Sequence, residues 1–309
     1  MTVPAGRAAA LAGALAADRL LGEPRGGWHP VALFGRAMTR LEERLWADRR
    51  AAGVLYTAVG VAAPAGLGVA LSAGRPWRRR LILVASTYTA VAGRALAEAA
   101  MDVHRALEDG DLGLARTRLR SLVGRDTRGL DEAEIVRAVV ESVAENTVDA
   151  VTAPLLWALV AGAPGVLGYR AVNTLDAMVG HRSPRYARFG WASARADDLV
   201  NWVPARLTAA LVAAARPARA AAIGRAVHRQ APAHPSPNAG VVEAAFAAAL
   251  GVRLGGVNDY GGRMECRPTL GWGRPAARSD IAEACRLSRT VAVALVAAAG
   301  LAPKAWPWR

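Results

Sequence analysis

The sequence predicts an all-α fold, a polytopic helical membrane protein with cytoplasmic helical and loop segments. Three observations carry this. Two stretches, residues 51–74 and 150–169, hold no charged side chain, and each is long enough to cross a bilayer core at about 1.5 Å of helix rise per residue. The charged segments between them carry helix start and stop signals. Strand-like alternation is scarce and no period of 20–50 residues recurs, which sets aside barrels, propellers and solenoids.

Composition agrees. Of 309 residues 53% are hydrophobic, and the formal charge is +14. Lys304 is the only lysine, so the positive charge is almost all arginine; a GC-rich coding bias accounts for part of that abundance. The charge favours phosphate-bearing ligands or an anionic membrane face. Nucleic acid is not expected, because the arginines are dispersed and no DNA- or RNA-binding motif is present. Cys266 and Cys285 form no CxxC pair, which argues against a disulfide framework or a structural zinc.

Taken in order, residues 3–22 read as a retained first helix ended by Gly22 and Pro24, although the run 8–17 after Arg7 has the look of a short signal sequence. A Pro/Gly-rich loop with Trp28, His29 and Pro30 follows. Residues 31–50 read as an amphipathic helix whose Arg36, Arg40, Glu43 and Arg44 form a solvated face. The run 51–74, kinked at Pro64, and a second apolar segment over 81–100 read as a helical hairpin in the membrane, with Arg75, Arg78, Arg79 and Arg80 on its cytoplasmic side. Residues 102–128 turn soluble and charged, with breaks at Gly110 and Gly124. Asp131 and Glu134 form a capping box that starts a new helix. Arg137, Glu141, Glu145 and Asp149 share one face of it, at successive i,i+4 steps. It leads into 150–169, broken at Pro154 and Pro164. A helix from about Pro204 to Ala215, a basic helical stretch 216–229, a turn-rich stretch 231–240 and a helix 241–251 come next. Residues 255–273 read as a glycine-rich loop region. A last apolar helix, 287–303, ends in Trp306-Pro307-Trp308-Arg309, an aromatic-basic tail suited to a membrane interface.

Chemistry concentrates in 123–208. Glu141 and Glu145 are like charges one turn apart on a helix whose other positions are largely apolar. That is costly unless a cation or arginine intervenes. Asp197-Asp198 with Asn201 supplies the hard oxygens that Mg²⁺ takes beside a phosphate, although acidic residues at a helix N-terminus give the same pattern. Asn173 and Asp176 lie between these groups. The turn before Asn238 can offer amides to an anion. P-loop, HExxH, GxSxG and Rossmann motifs are absent.

A set of motifs in fixed order is more specific than any one of them. Asp18-Arg19-Leu20-Leu21-Gly22-Glu23-Pro24, His29-Pro30-Val31, Gly124-Arg125-Asp126-Thr127, Glu141-Ser142-Val143-Ala144-Glu145-Asn146, Asn173-Thr174-Leu175-Asp176-Ala177-Met178-Val179-Gly180, Asp197-Asp198-Leu199-Val200-Asn201 with Pro204-Ala205-Arg206, and Ser236-Pro237-Asn238-Ala239-Gly240 resemble the CobD/CbiB family of cobalamin biosynthesis, adenosylcobinamide-phosphate synthase. The resemblance covers about residues 18–273; His181 departs from it, where an aromatic residue is more usual. It implies a multi-pass protein of the cell (inner) membrane, one family domain over 1–309, that joins the free propionate of adenosylcobyric acid to (R)-1-amino-2-propanol O-2-phosphate. ATP and Mg²⁺ are implied as well, and other cobalamin-pathway enzymes as partners. With that chemistry, Glu141 or Glu145 is expected to take the proton from the ammonium. Asp176, Asp197 and Asp198 are expected on Mg²⁺, and Arg125, Arg206, Asn146, Asn173, His29 and Asn238 on substrate or phosphate. Two other readings of the same residues are a corrinoid transporter or membrane binding component, and an Asp-rich prenyltransferase-like enzyme.

Overall fold

The computed structural model describes residues 3–23, 29–181, 183–259 and 264–301; the loop at Trp28 and the tail Trp306–Arg309 lie outside them. Among the described residues the helices are α1 Val3–Leu21, α2 Pro30–Leu45, α3 Arg50–Leu71, α4 Pro76–Ala90, α5 Gly93–Glu108, α6 Leu112–Leu119, α7 Glu132–Thr147, α8 Ala153–Leu175, α9 Trp191–Val200, α10 Trp202–Ala215, α11 Ala220–Arg229, α12 Ala239–Leu250 and α13 Arg278–Leu301. Strands β1 Val252–Asp259, β2 Met264–Leu270 and β3 Arg274–Pro275 complete the chain. π-Helical turns Val148–Thr152 and Asp176–Gly180 precede and follow α8.

Local chemistry sets the boundaries. His29 Nδ1 accepts the Val31 N–H at 3.2 Å and caps α2, whose Pro30 sits where no intrahelical donor is needed. The capping box at α7 is present: Glu134 N–H donates to Asp131 at 2.8 Å, and Asp131 N–H to Glu134 at 2.9 Å. Within α8 the predicted break at Pro164 is centred on Gly162, whose φ of 69° is a left-handed conformation that favours glycine. The carbonyls this interruption frees at Leu159 and Val160 accept from Arg7 Nη1 at 2.7 and 2.8 Å.

The contacts divide the chain into two compact units. The first comprises Met1–Ala92, Asp149–Asn201 and Leu295–Arg309. There α3 packs chiefly on α8, and α4 on α1 and α8. A Cβ on Gly68 of α3 would come within 2.7 Å of the Pro164 backbone, so small residues set how closely these apolar helices approach. The predicted hairpin of 51–74 with 81–100 is therefore corrected: its second segment ends at Ala90, α5 belongs to the other unit, and the main partner of α3 is α8. Helix α2 also stops early, at Leu45 rather than residue 50. Its Arg36, Arg40, Glu43 and Arg44 are exposed as expected, while Glu42 is buried and accepts from Arg185 at 3.0 Å and Tyr186 at 2.9 Å.

The second unit comprises Gly93–Val148 and Trp202–Ala294. Helix α12 is its centre, contacting α7, α10, α11, β1 and β2. The region 255–273, predicted as loop, is mostly strand: β1 pairs antiparallel with β2 and parallel with β3, in the order β2-β1-β3. Its glycines hid the alternation that marks a strand. The register slips between Leu254 and Gly256: Gly255 alone stands opposite Pro268 and Thr269, so the extra residue of this bulge is in β2 and Gly255 is left out of the paired ladder. Helix α13 begins at Arg278, earlier than residue 287, because Asp280 accepts the Ala277 N–H at 2.7 Å and binds Arg274 through both carboxylate oxygens at 2.7 and 2.9 Å.

Helices Arg50–Leu71, Glu132–Gly180 and Arg278–Leu301 are long and apolar enough to cross a membrane.

Candidate functional site

Helix α7 brings Glu141 and Glu145 to one side of the second unit. Glu141 is buried and held: Gly255 N–H donates to its Oε1 at 2.8 Å, Arg125 Nη2 lies 3.5 Å from Oε2, and Arg137 Nε 4.0 Å from Oε1. The bulge is what makes the first bond, since Gly255, at φ 87°, has an N–H free of the ladder to turn toward α7. Arg137 fastens the same strand by donating to the carbonyls of Gly255 and of Val257, the latter at 3.1 Å. Glu145 is exposed to solvent. It lines a cavity of about 100 Å³ with Arg125, Glu141, Ser142 and Arg267.

Behind this cavity lies Glu243, fully buried on α12. Its Oε1 is 3.7 Å from His234 Nε2 and 3.8 Å from Arg267 Nη1, beyond hydrogen-bond range, and neither oxygen has a hydrogen-bond partner among the described residues. Burial pushes its carboxyl well above the ordinary carboxylate range. Glu141 and Glu145 add to the shift, and Arg267 and Arg125 oppose it. Glu243, Arg267 and His234 were not among the expected site residues. Glu243 did leave a signal, as the one acidic residue in the otherwise apolar run of α12.

The other expected residues of this unit have different surroundings. Asn146 folds back on its own helix, donating to the Ser142 carbonyl at 2.9 Å. Arg206 and Asn238 are brought together at 2.8 Å, with Arg206 stacked 4.5 Å from the Trp202 ring centre.

The first unit holds its own polar network. Asn173 accepts from Arg170 at 3.0 Å and faces Asp197 Oδ1 at 3.5 Å. Asn201 donates to Asp197 Oδ2 at 3.0 Å and accepts from the Tyr169 hydroxyl at 3.0 Å. Asp176 lies over Gly180. Asp198 is turned to Arg195 at 3.2 Å. Asp197 and Asp198 lie at the C-terminal end of α9, so they do not complement a helix N-terminus. Among the described residues no three His, Cys, Asp or Glu side chains gather as a metal-binding group; Asp176, Asp197 and Asp198 therefore do not form one. The stretch 123–208 is split as well, with 123–148 and 202–208 in the second unit and 149–201 in the first.

A mostly helical chain with membrane-length apolar helices and a buried cluster of glutamates and arginines defines the class. The sequence comparisons give the family. A family model described as CobD/Cbib protein matches residues 11–288. "Cobalamin biosynthesis protein CobD" of Mycobacterium tuberculosis is 50% identical over 281 residues, covering 89% of this chain and 88% of that protein. The protein of the same name from Chromobacterium violaceum is 47% identical over 285 residues, with 89% of each chain covered. That of Rhodobacter capsulatus is 42% identical over 287 residues, with 90% of each covered. The chain belongs to the CobD/CbiB family of cobalamin biosynthesis. The transporter and prenyltransferase-like readings are not favoured. No solved structure matches the chain.

Proposed function

We propose that this protein is an integral membrane enzyme that makes adenosylcobinamide phosphate, forming an amide between the free propionate of adenosylcobyric acid and (R)-1-amino-2-propanol O-2-phosphate at the expense of ATP. Family membership supports the pathway. The observation that carries the chemistry is the small cavity lined by two glutamates and two arginines. Its paired carboxylates and guanidiniums match the two charges of a short zwitterion, with the ammonium on glutamate and the phosphate on Arg125 and Arg267.

A carboxylate resists attack by an amine, so the propionate is first activated as an acyl phosphate. The amine nitrogen then attacks the acyl carbon, the C–O bond to phosphate breaks, and the nitrogen sheds its protons. Glu145 is the base, because it reaches solvent and the cavity. Glu141, held by Gly255, Arg125 and Arg137, positions the arginines. Arginines stabilise the charge that gathers on phosphoryl oxygens.

ATP and Mg²⁺ enter through the family. Among the described residues no three His, Cys, Asp or Glu side chains offer Mg²⁺ a protein-made cage, and Asp198 is paired with Arg195. Asp197, between Asn173 and Asn201, would offer hard oxygens to a Mg²⁺ ion that arrives with phosphates, and such an ion would neutralise phosphoryl charge.

The test is to incubate purified protein with both substrates, ATP and Mg²⁺ and to detect the new amide by mass spectrometry. Glu145→Gln is expected to lower kcat by about 10²-fold or more, the usual contribution of a general base. A protein that binds corrinoid but forms no amide sinks the reading.

A further inference from the structure

The first unit holds another cavity, of about 370 Å³ and almost wholly apolar, between α2, α3, α4 and α8. That is more than twice the ~150 Å³ of an apolar cavity that takes up benzene. Phe34 and Met38 of α2, Pro64 of α3 and Leu167 of α8 are among its walls. The two hydroxyls on the lining are spent on their own helices. Thr89 donates to the Ser86 carbonyl at 3.1 Å, and Thr174 to that of Arg170 at 2.7 Å. A lining of this kind favours hydrocarbon over water.

One lining side chain is charged. Arg170 of α8 donates from Nη1 to the Asn173 side chain at 3.0 Å, and its Nε is buried with no hydrogen-bond partner among the described residues. Its partner is thus a neutral amide rather than a carboxylate. A cation beside hydrocarbon and short of partners is stabilised by an anion. The position of the cavity fits the boundary of a bilayer. Pro30 and Val31 open α2 and Thr89 and Ala90 close α4, so the cavity lies level with helix ends. At its margin Val59 and Leu67 of α3 are exposed. Helix α2 carries exposed Arg36 and Arg40, as an amphipathic helix on a membrane surface does, and both favour an anionic head group.

We propose that this cavity binds one acyl chain of an anionic phospholipid, with the phosphate of that lipid on Arg170. The chain enters past Val59 and Leu67 and fills the space lined by α2, α3, α4 and α8. The head group neutralises the guanidinium, and the hydrocarbon joins α2 to α3 and α8 through contacts that the protein alone does not make. The inference rests on the membrane reading and is independent of the amide chemistry.

The experiment titrates the full chain, purified in detergent and stripped of lipid, with dioleoylphosphatidylglycerol or dioleoylphosphatidylcholine. Native mass spectrometry counts the lipid retained. Wild-type protein is expected to hold one phosphatidylglycerol at least about tenfold more tightly than phosphatidylcholine, whose choline offsets its own phosphate. Arg170→Gln is expected to lose that preference and still bind a chain. Ala63→Phe enlarges an exposed alanine on the lining and is expected to lose both lipids while keeping its helical circular dichroism. Ala37→Phe, on the α2 side, repeats the test if Ala63→Phe does not fold. Equal binding of the two lipids by wild type overturns the lipid site alone. So does a preference that survives in Arg170→Gln, or full retention in a folded phenylalanine variant. Displacement of phosphatidylglycerol by ATP or by adenosylcobyric acid also overturns it, by assigning the cavity to a substrate. Release of the wild-type chain from membranes by alkaline carbonate overturns the membrane reading, and the lipid site with it.

Discussion

Glu141 and Glu145 sit one turn apart on α7 yet have different surroundings. Glu141 is tied down by an amide and two guanidiniums, and Glu145 opens to the cavity. Charge alone could not separate them: Arg125 and Arg137 lie near Glu141 in sequence, but the amide that fixes it arrives from β1, 114 residues away. Glu243 makes the same point more strongly. Its carboxyl is raised above the unfolded value of about 4.3, so the folded state holds a proton that the unfolded state gives up. Its contribution is therefore intact below about pH 4.3 and is lost as pH rises toward the folded value. Glu243→Gln, which cannot titrate, is expected to gain stability relative to wild type as pH increases from 4 to 8, read from thermal midpoints in detergent. A difference that is flat or falls with pH would show that Glu243 is ionised in the fold. At this scale the residues visible in sequence were those in dense polar motifs. Glu141, Glu145 and Arg125 do meet around one cavity, whereas His29 caps α2 and Asn146 caps nothing but its own helix.

Among the elements, the bulge opposite Gly255 has the largest consequence. Gly255 adopts a left-handed φ, and a Cβ there would lie 2.1 Å from the Pro268 carbonyl oxygen. Gly255→Ala is expected to lose at least about 1–2 kcal/mol from the backbone conformation alone. It should also weaken the amide bond to Glu141, so that denaturant midpoint and activity fall together. Retention of both would remove the bulge from the site's construction. The capping box of α7 and the breaks at Gly110 and Pro164 were legible because short-range chemistry decides them. The sheet was not. A strand rich in glycine loses the period that would announce it, and its pairing with β2 is visible only once β2 is in place.

For the whole molecule, three helices of membrane length among the described residues, together with the high apolar content, suggest a membrane protein. The exposed apolar side chains Val54, Leu55, Val59, Leu67 and Val69 along α3 suit a lipid-facing surface. The protein is expected to sediment with membranes and to resist alkaline carbonate extraction; release by carbonate would reassign these helices to a peripheral or soluble bundle.

The sequence by itself determined the helical character, the capped start of α7, the apolar runs of α3, α8 and α13, and the family, because periodicity, caps, breakers and ordered motifs are local records. Only the tertiary structure decided which polar residues meet. It divided the stretch 123–208 between two units, kept Asp176, Asp197 and Asp198 from gathering into one metal group, and set Glu243 and His234 behind the cavity lined by Glu141 and Glu145. The reason is physical. A side chain's cost and use depend on what desolvates and faces it, and those neighbours come from distant segments that packing alone brings together.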